Sequence, residues 1–155
     1  MKKVVTFILA LSLVFSVLAV SLADEVSPEA KEEFTIPSAV PAKEKKDFFG
    51  EWCFFLVLDE DGTETTREQM LADGIADDHA EITITETEII LYSVSLGDPM
   101  PMKYTFNPED GSLTLLNGGD EPPVLRLNDN GMLSVFIPGN DSFCASTAYC
   151  IRKEP

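Results

Sequence analysis

Between residues 48 and 152 apolar and polar side chains alternate with a period of two, broken at short intervals by clusters of Asn, Asp, Gly and Pro. The strongest stretch is residues 48–58, Phe-Phe-Gly-Glu-Trp-Cys-Phe-Phe-Leu-Val-Leu, which holds the only tryptophan. Trp52, Phe54, Leu56 and Leu58 alternate with Cys53, Phe55 and Val57, so this strand is apolar on both faces and must be covered on both. One face would line a barrel. The other needs a helix or the preceding segment laid over it.

A short helix is expected next. Thr65 or Thr66 can cap it ahead of Glu68, Met70-Leu71-Ala72 supplies an apolar ridge, and Asp73-Gly74 stops it. From there the period of two is sustained. Ile82 and Ile84 read as a strand, as do residues 89–96, 102–106, 112–116, 124–127, 132–137 and 145–152. The connections carry turn chemistry, such as Asn107-Pro108-Glu109-Asp110-Gly111 and Asn128-Asp129-Asn130-Gly131. With the first strand this predicts eight, and eight antiparallel strands suit a closed up-and-down barrel without exposed edges. A β-sandwich built from the same hairpins is the alternative.

The N-terminal third is different. Met1-Lys2-Lys3 precedes an apolar run of 17 residues from Val4 to Val20, and Ser21-Leu22-Ala23 follows. That is the layout of a secretory signal peptide cleaved after Ala23, and the run is at the short limit for a bilayer span. Residues 24–46 contain three prolines and many charges without a period, and read as a flexible tether on which Phe34 and Ile36 are the docking candidates. The barrel domain is then 47–155.

Charge narrows the partners. The chain holds 27 acidic and 11 basic residues; loss of Lys2 and Lys3 with the signal leaves 9 basic ones, a net charge of −18. Such a surface repels nucleic acid and anionic membranes, stays soluble, and favours basic partners. A soluble, secreted monomer is expected.

Gly50-Glu51-Trp52 opening the first strand, the short helix, the hairpin-linked strands and a basic last strand together resemble the lipocalin-like small barrels of secreted bacterial proteins, over about residues 48–153. The resemblance implies a tryptophan, Trp52, at the closed end of the barrel with Arg152 of the last strand across it. It also implies a small apolar ligand, although the long ligand-gating loop of the family is missing here. Trp52, Phe54, Tyr92, Met102, Tyr104, Phe106 and Val135 are the interior residues such a ligand would meet. The same set, with neighbours such as Leu56, Ile90 and Val94, serves equally as a filled core.

Little else carries chemistry. Cys53, Cys144 and Cys150 make an odd count for an exported chain. Closure of the barrel would bring the last strand beside the first, so Cys53 could meet Cys150 or Cys144, and Cys53–Cys150 is preferred because Cys150 sits well inside the strand; three buried free thiols is the other reading. The single histidine, His79, lies in Asp77-Asp78-His79, where adjacent loop side chains do not converge on a metal, so no cofactor is expected. Asp59-Glu60-Asp61-Gly62 fails as a calcium loop because Val57 would fall at its first ligand position. No nucleophile–base order, phosphate loop or dinucleotide fingerprint is present, which argues against an enzyme. The expectation is a secreted, non-catalytic lipocalin-like binding domain; the alternative is an acidic module that binds a basic secreted hydrolase. Acids concentrated at one barrel end would favour the second.

Overall fold

The computed structural model describes residues 34–94, 97–116, 121–140 and 144–154. The expected signal peptide and residues 24–33 lie outside them. The chain forms β1 (Ala39–Val40), a 3-10 turn (Lys45–Phe48), β2 (Gly50–Asp59), β3 (Glu64–Thr66) and the helix α1 (Arg67–Ala72). Then follow β4 (Ile82–Ile84), β5 (Ile89–Leu91), β6 (Met100–Met102), β7 (Tyr104–Asn107), β8 (Ser112–Leu115), β9 (Val124–Asn128), β10 (Leu133–Ile137) and β11 (Ser146–Arg152).

All pairings are antiparallel, in the order β6-β5-β4-β2-β11-β10-β9-β8-β7. The two outermost strands, β6 and β7, are separated only by Lys103, so the sheet curls back on itself as a nearly closed barrel rather than a sandwich. Hydrogen bonds cross the seam. The Tyr104 hydroxyl, on β7, donates to the Thr85 and Glu86 carbonyls of the β4–β5 connection at 2.8 and 3.1 Å.

Among the described residues the sheet has eleven strands where eight were expected. One expected strand is divided at Lys103, whose two sides pair with different neighbours. The other additions, β1 and β3, sit off the main path on β9 and β2. Because β3 intervenes, the helix follows β3 rather than the long first strand. Its capping box joins Thr66 to Gln69, not a threonine to Glu68. Gly74, at φ +68°, follows it, as the stop signal required.

A bulge in β2 decides which residues face inward. Tyr149 pairs with Leu56 and Cys150 with Phe54, so Phe55 is skipped and the alternation changes phase there. Trp52 points into the barrel below the bulge and Val57 above it, while Leu56 joins an outer cluster with Tyr149 and Met132. That outer cluster is covered by Phe34, whose ring lies 5.0 Å from Tyr149 and 6.0 Å from Phe55. The doubly apolar strand is thus covered on both faces, as its sequence demands.

Residues 34–46, expected as tether, form a strap over the barrel. Strand β1 pairs with the lower half of β9, and the Ala42 N–H reaches the Gly111 carbonyl at 3.3 Å. A Cβ on Gly111 would stand 2.2 Å from the Ala42 nitrogen, so glycine is needed for the strap to pass. Phe48, at the end of the strap, is fully buried in the core.

Candidate functional site

The two ends of the barrel differ in construction. At the lower end the strap enters β2, and Phe48 plugs the interior beneath Trp52. The Trp52 indole Nε1 donates to the Phe48 carbonyl at 2.9 Å. The Arg152 guanidinium lies over the indole, 4.3 Å from its centroid, and donates to the Phe49 and Asp47 carbonyls. A Cβ on Gly50, at φ +134°, would come within 2.6 Å of the Arg152 Nη1, so the glycine ahead of the tryptophan leaves room for the guanidinium. The expected Trp52–Arg152 pairing is therefore present, and it seals this end.

The expected interior residues divide into three groups. Trp52, Met102 and Val135 are buried in the core beside Ile82, Leu113 and Leu125. Phe54, Tyr104 and Phe106 are half-buried against that core. Tyr92 stands apart: its hydroxyl donates to Asp77 Oδ2 at 2.8 Å, and its ring lies 5.1 Å from His79. The β5 alternation is displaced by one from the expected register. Ile89 and Leu91 point inward, Ile90 is half-buried and Val94 is exposed.

All three cysteines are free thiols. The expected Cys53–Cys150 bond is not formed, because Cys150 stands opposite Phe54 while Cys53 stands opposite Ile151. Cys150 belongs to the inner core and Cys53 follows inward-facing Trp52, so strand alternation turns them to opposite faces. Burial pushes both thiols above the usual range, Cys150 strongly, with the Glu81 carboxylate adding to the effect. Cys144 is exposed.

Beside Phe54 is an ion pair that the sequence did not reveal. β4 pairs with β2 only up to Trp52 and β3 only from Leu56, leaving the Phe54 backbone without a strand partner on that side. Glu81, nearly buried, accepts the Phe54 N–H at 2.9 Å, and Arg67 donates to the Phe54 carbonyl at 3.0 Å. The two side chains meet at 3.1 Å. Arg67 also donates to the Asp77 carbonyl at 2.8 Å, which ties the loop after α1 to the sheet. In that loop the His79 backbone N–H, helped by the Tyr92 hydroxyl, holds the Asp77 carboxyl below its usual range. Among the described residues no group of three or more His, Cys, Asp or Glu side chains is arranged to hold a metal ion.

Charge is distributed along the barrel axis. The loops that leave the upper end are the β2–β3, β5–β6, β8–β9 and β10–β11 connections. Among the described residues these connections and the strand ends beside them carry Asp59, Glu60, Asp61, Glu64, Asp98 and Glu121, and no lysine or arginine. At the lower end acids are interleaved with bases: Lys45 lies 4.0 Å from Glu86, Lys103 3.9 Å from Glu88, and Arg126 3.0 Å from Asp110. Desolvation raises the Asp59 carboxyl, with Asp61 nearby adding to it, whereas the Thr63 N–H lowers that of Asp61. Among the described residues, ion pairs with lysine or arginine are thus made at the lower end and not at the upper one.

No family model matches the chain, and neither a curated protein nor a solved structure is similar to it.

Proposed function

We propose that this is a secreted, non-catalytic binding domain of lipocalin-like type, and that its partner is a basic protein met by the upper, acid-rich end. The segregation of charge along the barrel carries this reading. A base-free acidic rim attracts a cationic surface from beyond contact distance and raises the association rate. The lower end, where acids and bases alternate, offers no such field. The lipocalin-like assignment is supported by the nearly closed antiparallel ring and by Arg152 lying across Trp52 at the sealed end.

A small apolar ligand inside the barrel is the second reading, favoured by Phe54, Tyr104 and Phe106 being only half-buried. Against it stands the filling of the interior by Trp52, Met102, Val135 and their neighbours. One experiment separates the two. Binding to a panel of basic and neutral secreted hydrolases is measured at about 50 and 200 mM salt, alongside titration with an apolar fluorescent probe. The protein-binding reading expects salt-sensitive capture of basic members only. Neutralising Asp59, Glu60, Asp61 and Glu64 together should abolish that capture, while neutralising Glu86 and Glu109 should not. Saturable probe uptake with a change in Trp52 fluorescence, and no hydrolase capture, would replace it with the apolar-ligand reading.

A further inference from the structure

The strap has two parts held very differently. Residues 45–49 are locked: Phe48 is fully buried, Trp52 donates to its carbonyl, and Arg152 grips the carbonyls on either side. Residues 34–42 are held lightly. Ile36 is 59% exposed and Val40 39%. Their fixings are the Phe34 ring, the two residues of β1, a Ser38–Asp129 hydrogen-bond pair, the Ala42–Gly111 bond and, at the end nearest the locked part, the burial of Ala42 in the core.

We propose that residues 34–42 exchange between two copies of the chain, each strap docking on the partner's barrel. Three observations carry this. The segment Phe-Thr-Ile-Pro-Ser-Ala-Val-Pro-Ala has no charged residue, and the surface receiving its phenylalanine, made of Phe55, Leu56, Met132 and Tyr149, has none either. The phenylalanine therefore exchanges at an uncharged surface in a strongly acidic molecule, and Asp129 is the one carboxylate the segment meets, through the Ser38 N–H. The docking site is also a sheet position that the barrel does not fill for itself. β8 pairs with β9 only at Val124 and Leu125, and β1 takes the edge left open at Leu127 and Asn128. An open strand edge accepts any matching strand, and the matching sequence on a second copy is the strap itself. Finally, Pro37 and Pro41 favour an extended arm once it is released, so it reaches outward rather than collapsing on its own barrel. Each hydrogen bond and ring packing broken within one chain re-forms between two, so dimerisation costs little and depends on protein concentration.

The test uses cysteine pairs in a Cys144→Ser background, with Cys53 and Cys150 left buried. Ser38 and Asp129 are exposed and hydrogen-bonded to one another. Ser38→Cys and Asp129→Cys are made as separate proteins, mixed, incubated at high concentration and oxidised. Exchange predicts a covalent heterodimer linked between positions 38 and 129, identified by peptide mapping, whose yield rises with concentration before oxidation. The double variant, oxidised dilute, should close within one chain and so verify that the strap docks. If it closes within one chain at every concentration, and the mixed single variants give no 38–129 linkage, strap exchange is overturned.

Discussion

Arg67 and Glu81 meet at 3.1 Å in the gap between β3 and β4, and together they satisfy both backbone groups of Phe54. The glutamate side chain is 4% exposed and the arginine 22%. Removing one member of such a pair leaves a buried charge and an unpaired backbone group at once. Arg67→Ala should therefore cost about 3 kcal/mol in urea unfolding. An Arg67→Met, Glu81→Leu double variant should lose less than the sum of the two single changes, as coupled sites do. Additive losses would mean that the pair does not act as a unit.

The Trp52–Arg152 contact has its own optical reporter, since Trp52 is the only tryptophan. Arg152→Ala should shift the emission of Trp52 and lower stability by about 1–2 kcal/mol. Arg152→Lys should recover only part of this, because an ammonium cannot hold two carbonyls and the ring face together as a planar guanidinium does. Unchanged emission in both variants would show that the lower end is sealed without the arginine.

Stability should fall as the solution is acidified. Hydrogen bonds hold the carboxyls of Asp77 and Asp110 below their ordinary value of 3.8, from the His79 backbone N–H and the Ser112 hydroxyl respectively, with Arg126 also acting on Asp110. A depressed folded-state pKa contributes stability above the unfolded value, and that contribution is lost as pH drops through the folded one. The loss should begin near pH 4 and continue below it. Asp59, raised by burial, acts in the opposite sense and is relieved on protonation. Thermal melts between about pH 2 and 7 check this, and Asp77→Asn and Asp110→Asn should each flatten the acid limb.

The three thiols should be kinetically distinct. Cys144 is exposed, whereas Cys53 and Cys150 are buried with raised pKa values. A thiol reagent should modify one cysteine quickly in the native protein and the other two only on unfolding. Three equal rates would place Cys53 and Cys150 outside the core.

Much of the architecture is legible in the sequence because the alternation is sustained and the turns are well marked. What escapes is set by local ambiguity. Ile89, Ile90 and Leu91 are consecutive apolar residues, so period alone does not say which of them faces inward, and Tyr92 and Val94 inherit the wrong phase. The bulge at Phe55 leaves no mark in a run where every neighbour is apolar. The strap is legible only in part: Phe34 stands out as a docking residue, but the prolines and the charges of residues 43–46 leave no period that predicts β1. Arg67 and Glu81 stand fourteen residues apart, and only the break in pairing beside Phe54 gives them a common task. The Trp52–Arg152 contact is not legible through period, since nothing in the alternation brings residue 152 over residue 52.

The bulge in β2 makes that strand behave like a sentence whose reading frame changes midway. Below Phe55 odd-numbered residues face out; above it they face in. Deleting Phe55 would leave Phe54 inward, Leu56 outward and Val57 inward, one unbroken frame that still serves both interiors. Deleting Cys53 instead would reverse Trp52 and everything before it relative to the rest of the strand. The strand can therefore be shortened by one residue at the bulge and hardly anywhere else. The one extra residue at Phe55 turns the corner and re-phases the strand, so that Trp52 below it and Val57 above it reach the same core.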